Sequence, residues 1–332
     1  MLVLLIATAI LMLGNGLFST LLAVRASFEG FGALVIGFVM SGYFVGYILG
    51  AFVCVKAIED VGHIRTFSAL AALFSAIAIA HAIFVDPVVW MLFRFVAGMC
   101  IVGLFMVIES WLNAEAPPGR RGRLFAVYMV VNLSALAAGQ LLLTLDDPRT
   151  FVLFGVASML FALAVIPTAL TRVRAPAPQP AGGMDLRRLY RSSTLGVTAC
   201  FAVGLIGGAF WSLAAVYGLR IGLDEAHVAY FMTAAISGGT VAQIPVGRFS
   251  DTHDRTRVLA GVSLLLTVSA GMLSLMNGVR APAVIGTAFL FGAFYFPLYS
   301  LAVAHTHDQV GPGHVVDATS GLMFVYGIGA VA

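Results

Sequence analysis

The stretch GRFSDTHDRTR, Gly247 to Arg257, places five charges in eleven residues of a chain that is 61% hydrophobic and only 10% charged. A second charged break, VKAIEDVGHIR, spans Val55 to Arg65, 192 positions earlier. What surrounds the two breaks is apolar: mean hydropathy is +1.01 over 332 residues. Soluble chains are about half apolar and about a quarter charged, so this composition belongs to a membrane protein. A spanning helix needs roughly 20 mostly apolar residues. Such runs fall at 2–24, 31–55, 66–85, 88–111, 124–145, 151–171, 194–218, 227–247, 258–276, 283–304 and 315–332, eleven in all. They are continuously apolar rather than alternating, which predicts helices and not a barrel, because each segment in lipid must satisfy its own backbone. The first run has no basic leader and is long for a signal peptide, so it reads as a retained span.

If the first residue lies in the cytoplasm, the connections alternate between inside and outside. Of the 18 Lys and Arg residues, 13 then fall inside, four outside (Arg25, Arg149, Arg220, Arg280), and Arg94 lies at membrane depth. The positive-inside rule supports that orientation. The net charge of +3 is therefore sorted by topology and offers no footprint for nucleic acid. Cys54, Cys100 and Cys200 stand in apolar runs without paired spacing, as packing residues do. The longest connection, 172–193, joins APAPQPAGG to a basic DLRRLYR suited to the anionic inner leaflet. It divides the chain into a six-span bundle, 1–171, a cytoplasmic linker, 172–193, and a second bundle, 194–332.

The two charged breaks are one element used twice. A shift of 192 sets Phe18 on Phe210, Gly30 on Gly222, Gly46 on Gly238, Glu59 on Asp251 and Arg65 on Arg257. A shift of 194 brings Gly98 onto Gly292 and Pro118-Gly119 onto Pro312-Gly313. Repeated halves let two similar bundles rock about a site held between them and expose it alternately. The repeat also predicts about 40 further residues completing the eleventh span and adding a twelfth, at roughly 20 per span.

These residues resemble the major facilitator superfamily. GRFSDTHDRTR is similar to that family's signature between its second and third helix of each half, matching at Gly247, Ser250, Asp251, Arg255 and Arg257, with Asp254 where a Gly is usual. The first copy keeps Gly62 and Arg65 and has Glu59 for the Asp. RFVAG, Arg94 to Gly98, is similar to a helix-4 element of the family, and VIESWLN followed by GRRGRL resembles a largely uncharacterised bacterial branch. The resemblance implies an all-α membrane fold of two pseudo-symmetric bundles, with helices 1, 4, 7 and 10 lining a central cavity. The family's usual Gly-Pro antiporter signature is missing from ALAAGQ, Ala135 to Gln140.

Charge at membrane depth is costly and faces a cavity or a partner. Arg94 is a candidate to recognise an anionic solute or influence a proton carrier, alongside a bracing role on backbone carbonyls. Glu109 is a candidate proton-carrying carboxylate or an inner-gate contact beside Trp111 and Asn113. The two lie 15 residues apart on one helix, roughly 22 Å at 1.5 Å per residue, and cannot pair. Arg25 reads as an interfacial or entrance charge. Polar candidates are Asn15, Asn132, Gln140 and Gln243, with Tyr43 and Tyr47 and, by the implied cavity, Trp211, Tyr295 and Tyr299. Each of them has a rival reading as an interhelical hydrogen-bonding group. The breaks carry the gating candidates: Glu59, Gly62, Arg65, Gly247, Asp251, Arg255 and Arg257. There Asp251 accepts amide donors or pairs with an arginine across the halves, biasing two states by about 1–3 kcal/mol. His305, His307 and His314 belong to a solvated loop rather than a metal site.

The expectation is a monomeric, gradient-driven transporter of a small solute in the bacterial inner membrane, with the N-terminus cytoplasmic, no metal and no cofactor, and protons as a possible coupling ion. Efflux of amphipathic toxicants is the nearest alternative. A membrane-embedded enzyme or solute receptor is the alternative from another class.

Overall fold

The computed structural model describes residues 2–115, 121–170, 186–310 and 315–332. Among them are thirteen α-helices: α1 (Leu2–Phe28), α2 (Ala33–Val61), α3 (His63–Ile83), α4 (Pro87–Glu115), α5 (Arg121–Leu141), α6 (Val152–Leu163), α7 (Val165–Ala169), α8 (Leu186–Ser192), α9 (Thr194–Arg220), α10 (Glu225–Thr252), α11 (Arg255–Ser274), α12 (Ala281–Gln309) and α13 (Val315–Val331). No strand occurs among the described residues. The helices form two compact units, Met1–Pro180 and Ala181–Ala332. The Pro118-Gly119 and Pro312-Gly313 match, residues 172–185, His314 and the side chain of Asn113 lie outside the described residues.

Nine of these helical segments are long and apolar enough to cross a membrane. The segment predicted as the eighth span, α10, is 28 residues long but carries Thr233, Ser237, Thr240, Gln243 and the start of the charged break, so it is less apolar than its neighbours. The apolar part of α13 is the shorter Ala318–Val331. The predicted sixth span is interrupted between α6 and α7, where Pro167 cannot donate to the carbonyl four residues back.

The charged breaks are nearly all helix. Only Gly62 separates α2 from α3, and only His253 and Asp254 separate α10 from α11. The two chain reversals use different chemistry at equivalent positions. Gly62 adopts φ 85°, a conformation that disfavours a side chain. Asp254, 192 residues on, stays at φ −57° and accepts the Arg257 amide at 2.9 Å as the N-cap of α11. That is why an Asp serves where the family pattern has Gly.

Within each unit the same helices meet at the same residues. The turn after α1 runs through Gly30 at φ 79°, with Phe31 N donating to Ala26 O at 3.0 Å. The turn after α9 runs through Gly222 at φ 93°, with Leu223 N donating to Gly218 O at 3.0 Å. α2 crosses α4 where a Cβ on Gly46 would strike Phe95 O and one on Gly98 would strike Tyr43 O. α10 crosses α12 where Gly238 meets Phe289 O and Gly292 meets Ala235 O. α1 crosses α5 with Gly16 on Leu136 O, and α9 crosses α13 with Gly208 on Ala330 O. Each contact reproduces its counterpart under the shifts of 192 and 194. The stripe Gly42, Gly46, Gly50 lies turn for turn on Met91, Phe95 and Met99. Lipid tails are as apolar as Leu, so close backbone approach over small residues is the main source of helix association here.

Aromatic side chains fill the space left by these crossings. In the first unit Phe18 is edge-on to Phe74, Phe154, Phe161 and His81, and Phe74 stacks on Phe161 at 4.0 Å. In the second, Phe210 stacks on Phe291 at 5.7 Å and lies beside Tyr295 and Phe296. The basic LRRLYR, Leu186 to Arg191, lies in the short helix α8, whose buried Leu189 packs with Cys200, Ala302, Ala318 and Leu322. All three cysteines are free and buried.

Candidate functional site

In the first unit the tight crossing of α2 and α4 brings Arg94 over the Tyr43 ring, 4.4 Å from its centroid. Arg94 is 4% exposed, and its Nε and Nη1 have no hydrogen-bond partner. Two other buried candidates are also incompletely bonded: Asn15 Oδ1 and Gln140 Nε2. The other end of the Gln140 amide, Oε1, accepts from Thr20 Oγ1 and ties α5 to α1. Glu109 accepts from the buried Tyr128 hydroxyl at 3.1 Å, and Asn132 lies one turn beyond Tyr128 on α5. Arg25 pairs with Glu29 at 2.5 Å and donates to the carbonyls of Pro148 and Arg149, so it fastens the end of α1 to the turn before α6.

In the second unit Tyr295 is buried, with its hydroxyl 3.3 Å from that of Tyr326. Tyr299 lies edge-on to the Tyr326 ring at 5.4 Å. Trp211 is edge-on to Phe210 and Phe296. A cavity of ≈ 150 Å³ between α10 and α12 joins Gln243, Gly247 and Asp251 with Ser300, and Gln243 donates to Ser300 Oγ at 2.7 Å. The prolines inside α10 and α12, Pro245 and Pro297, each leave a carbonyl without its helical donor near this region.

The charged breaks behave differently in the two units. Arg255 bonds Asp251 at 3.1 Å and Asp308, at the end of α12, at 3.0 Å. Asp251 therefore pairs with an arginine four residues on, where a partner across the halves or backbone amides were the expectation. The amide-capping role goes to Asp254. In the first unit Glu59 and Arg65 are exposed and form no ion pair among the described residues. Its equivalent of Arg255 is His63, whose Nε2 lies 2.9 Å from Ser110 Oγ on α4. Both copies thus link the first residue of the third helix to the last turns of the fourth, by a neutral bond in one unit and by the Arg255–Asp308 ion pair in the other.

Thr20, Tyr128 and Tyr326 were missed from sequence. Tyr326 had a signal, since it stands 194 residues after Asn132 in the register of the repeat. Thr20 and Tyr128 had none, because which face of α1 or α5 meets its neighbour depends on packing. His305, expected in a solvated loop, is instead buried in α12 beside Gln309 Nε2 at 3.0 Å. His307, on the same helix, reaches Thr319 on α13 at 2.9 Å.

The sequence profile of the Major Facilitator Superfamily matches residues 4–332. The chain belongs to the major facilitator superfamily. Two curated members are similar along nearly the whole length. One is an uncharacterized MFS-type transporter of Enterobacter sp. (strain 638), 28% identical over 99% of this chain and 86% of its own. The other is the uncharacterized MFS-type transporter YcaD of Escherichia fergusonii, 26% identical over 97% of this chain and 84% of its own. Among solved structures of the superfamily's fold, the nucleoside transporter NupG aligns with TM-score 0.80 at 13% identity, covering 99% of this chain and 88% of its own. The D-xylose-proton symporter aligns with TM-score 0.76 at 13% identity, covering 99% and 87%. Membership makes this a multi-pass membrane transporter rather than an enzyme, with the two pseudo-symmetric helical bundles of the superfamily.

Proposed function

We propose that the protein is a secondary active transporter that moves one class of small solute across the bacterial inner membrane by alternating access of its two units. The observation that carries this reading is the set of glycine crossings repeated at shifts of 192 and 194. They make each bundle a stiff body built on one plan, as a rocking carrier requires. In this reading the polar faces supply the solute pathway: Asn15, Arg94, Asn132 and Gln140 from the first unit, and Trp211, Gln243, Tyr295 and Tyr299 with Tyr326 from the second. The Asp251–Arg255–Asp308 cluster and its plainer counterpart, with Glu59, Gly62 and Arg65, act as gates whose contacts differ between states. Glu109, held by Tyr128, is the proton carrier. The 13-to-4 bias of basic residues supports a cytoplasmic N-terminus, with 172–193 as a cytoplasmic linker between bundles 1–171 and 194–332, in a monomer.

The test is solute entry into liposomes holding the purified chain, with internalised metabolites read by mass spectrometry under an imposed pH gradient. The panel includes nucleosides and D-xylose, the solutes named for the structural neighbours, as neutral members beside organic anions. Saturable uptake of a restricted solute class is expected, with Glu109→Gln abolishing gradient-driven accumulation while exchange survives. A folded protein that exchanges no solute in any gradient refutes the proposal.

A further inference from the structure

We infer that Arg94 and Tyr43 form an oxyanion site within the first unit, and that the transported solute carries a carboxylate or phosphate group. The inference rests on the transporter reading for the word "transported"; the site itself does not.

Arg94 lies in the second turn of α4, and its guanidinium keeps its charge at any biological pH. It is 4% exposed, and Nε and Nη1 are buried without a hydrogen-bond partner. No carboxylate pairs with it among the described residues. Glu109, on the same helix, lies 15 residues further on and has Oε1 engaged by Tyr128. A buried charge in an apolar bundle demands compensation, and the protein supplies one part of it: the Tyr43 ring, 4.4 Å from the guanidinium carbon. The face of the ring offsets part of the charge but accepts no conventional hydrogen bond, so the donors at Nε and Nη1 stay unmatched. The ring and an oxyanion can therefore hold the same group together, and the ring does nothing for the in-plane N–H donors. Nε and Nη1 point along different edges of the guanidinium, each shared with Nη2, and either two-donor edge matches the two oxygens of a carboxylate or phosphate better than it matches a single carbonyl.

The site is also rigid. Met91 O and Phe95 O, three residues before Arg94 and one after it, meet Gly42 and Gly46 of α2, and Tyr43 O meets Gly98 of α4. Both partners are thereby fixed by backbone contact, which is how a recognition group is held at one geometry. A role limited to bracing α4 predicts hydrogen bonds from Arg94 to backbone carbonyls, and Nε and Nη1 make none.

The experiment uses the purified full chain in lipid nanodiscs, titrated at constant ionic strength with small carboxylic acids, each paired with its uncharged amide, and with inorganic phosphate. At least one oxyanion is expected to raise the melting temperature by about 2 °C or more where its neutral counterpart does not. Arg94→Gln is expected to weaken that binding about 100-fold, the loss of a charge-assisted two-bond contact. Equal shifts from acid and amide, no shift from any oxyanion, or oxyanion binding unchanged in Arg94→Gln overturns the site. Should Arg94→Gln not accumulate, Arg94→Lys keeps the charge and loses the two-donor edge, with about 10-fold weaker binding expected, and unchanged affinity there has the same force. The arms separate carboxylate from phosphate. Flux in the same preparation separates the two proposals. An oxyanion that binds through Arg94 but never crosses the bilayer refutes transport and leaves the site. A neutral solute that crosses while no oxyanion binds refutes the site and leaves transport.

Discussion

Adding one methyl group at Gly46 should separate α2 from α4, and the repeat fixes what should happen at Gly238. The new Cβ would lie on Phe95 O, a backbone atom of a helix that cannot rotate away because Gly42 and Gly50 are engaged one turn to either side. At Gly42 a Cβ would stand 2.7 Å from Met91 O, and at Gly50 2.7 Å from Met99 Cα, so relief at Gly46 by sliding creates a clash at its neighbours. Moving the helices apart by about 1 Å forfeits a quarter to a half of the dispersion well for each atom pair across the crossing. With tens of pairs at about 0.15 kcal/mol each, the loss comes to about 2 kcal/mol. Helix propensity works the other way, since Ala is favoured over Gly by about 1 kcal/mol in a helix interior. A control separates the two effects: a Cβ on Gly261 in α11 would meet no atom within 4 Å, so Gly261→Ala should be neutral or slightly stabilising. Reversible unfolding in mixed micelles should therefore rank Gly46→Ala about 1–2 kcal/mol below the parent, Gly238→Ala beside it, and Gly261→Ala at or above the parent. If Gly46→Ala matches Gly261→Ala, the crossing is not closed by the glycines. If Gly46→Ala falls and Gly238→Ala does not, the two bundles are not held by equivalent contacts.

Three other outcomes follow from local geometry. Asp254→Ala should cost about 1 kcal/mol by removing the cap on α11, whereas Asp254→Gly should cost only a few tenths and restore the residue usual in the family pattern; the same unfolding measurement ranks them. The Asp224 carboxylate, which caps α10, accepts the His227 amide at 2.8 Å, and this bond first, with the His227 side chain adding to it, holds its pKa below the ordinary value. A depressed carboxylate pKa contributes stability that is present above the unfolded-state value and is lost as pH falls through the folded-state value. Acid unfolding below about pH 4 should therefore flatten in Asp224→Asn, read as a smaller loss of α10 amide protection. Phe18→Ala should cost about 3 kcal/mol through the cavity it leaves among Phe74, Phe154 and Phe161, and the milder Phe18→Leu much less, in the same micelle assay.

The bundle architecture was legible because its signals are coarse and redundant. Apolar runs of spanning length set the helices, and Gly46 with Gly238 and Gly98 with Gly292 marked in sequence the places where backbones touch. The boundaries were less legible. The charged breaks read as loops because polar residues commonly mark connections, yet α2 and α10 continue through them, since a helix end at a membrane surface can carry charge without unwinding. Side-chain partners were least legible. Gln140 was visible as a buried polar group, but its bond to Thr20 depends on the rotation of α1 against α5, which the Gly16–Leu136 and Gly139–Leu13 contacts set and which no spacing within either helix encodes.

The same limit explains the charged breaks, where identity of pattern concealed a difference of chemistry. Position 63 and position 255 are equivalent, and each begins a helix and reaches the end of the next. His63 is buried and bonds a serine, a link that is short, neutral and insensitive to salt. Arg255 is partly exposed and holds two exposed carboxylates, Asp251 and Asp308. Exposed ion pairs are individually worth about 0–1 kcal/mol and weaken as salt screens them. The second unit therefore closes its helix ends with contacts that can be exchanged at little cost, and the first closes them with one whose exchange costs more, because it leaves a buried imidazole unpaired. Exchange is cheaper in the second unit, so the first place to search for state-dependent rearrangement is the Asp251–Arg255–Asp308 cluster, even though both breaks carry the same motif.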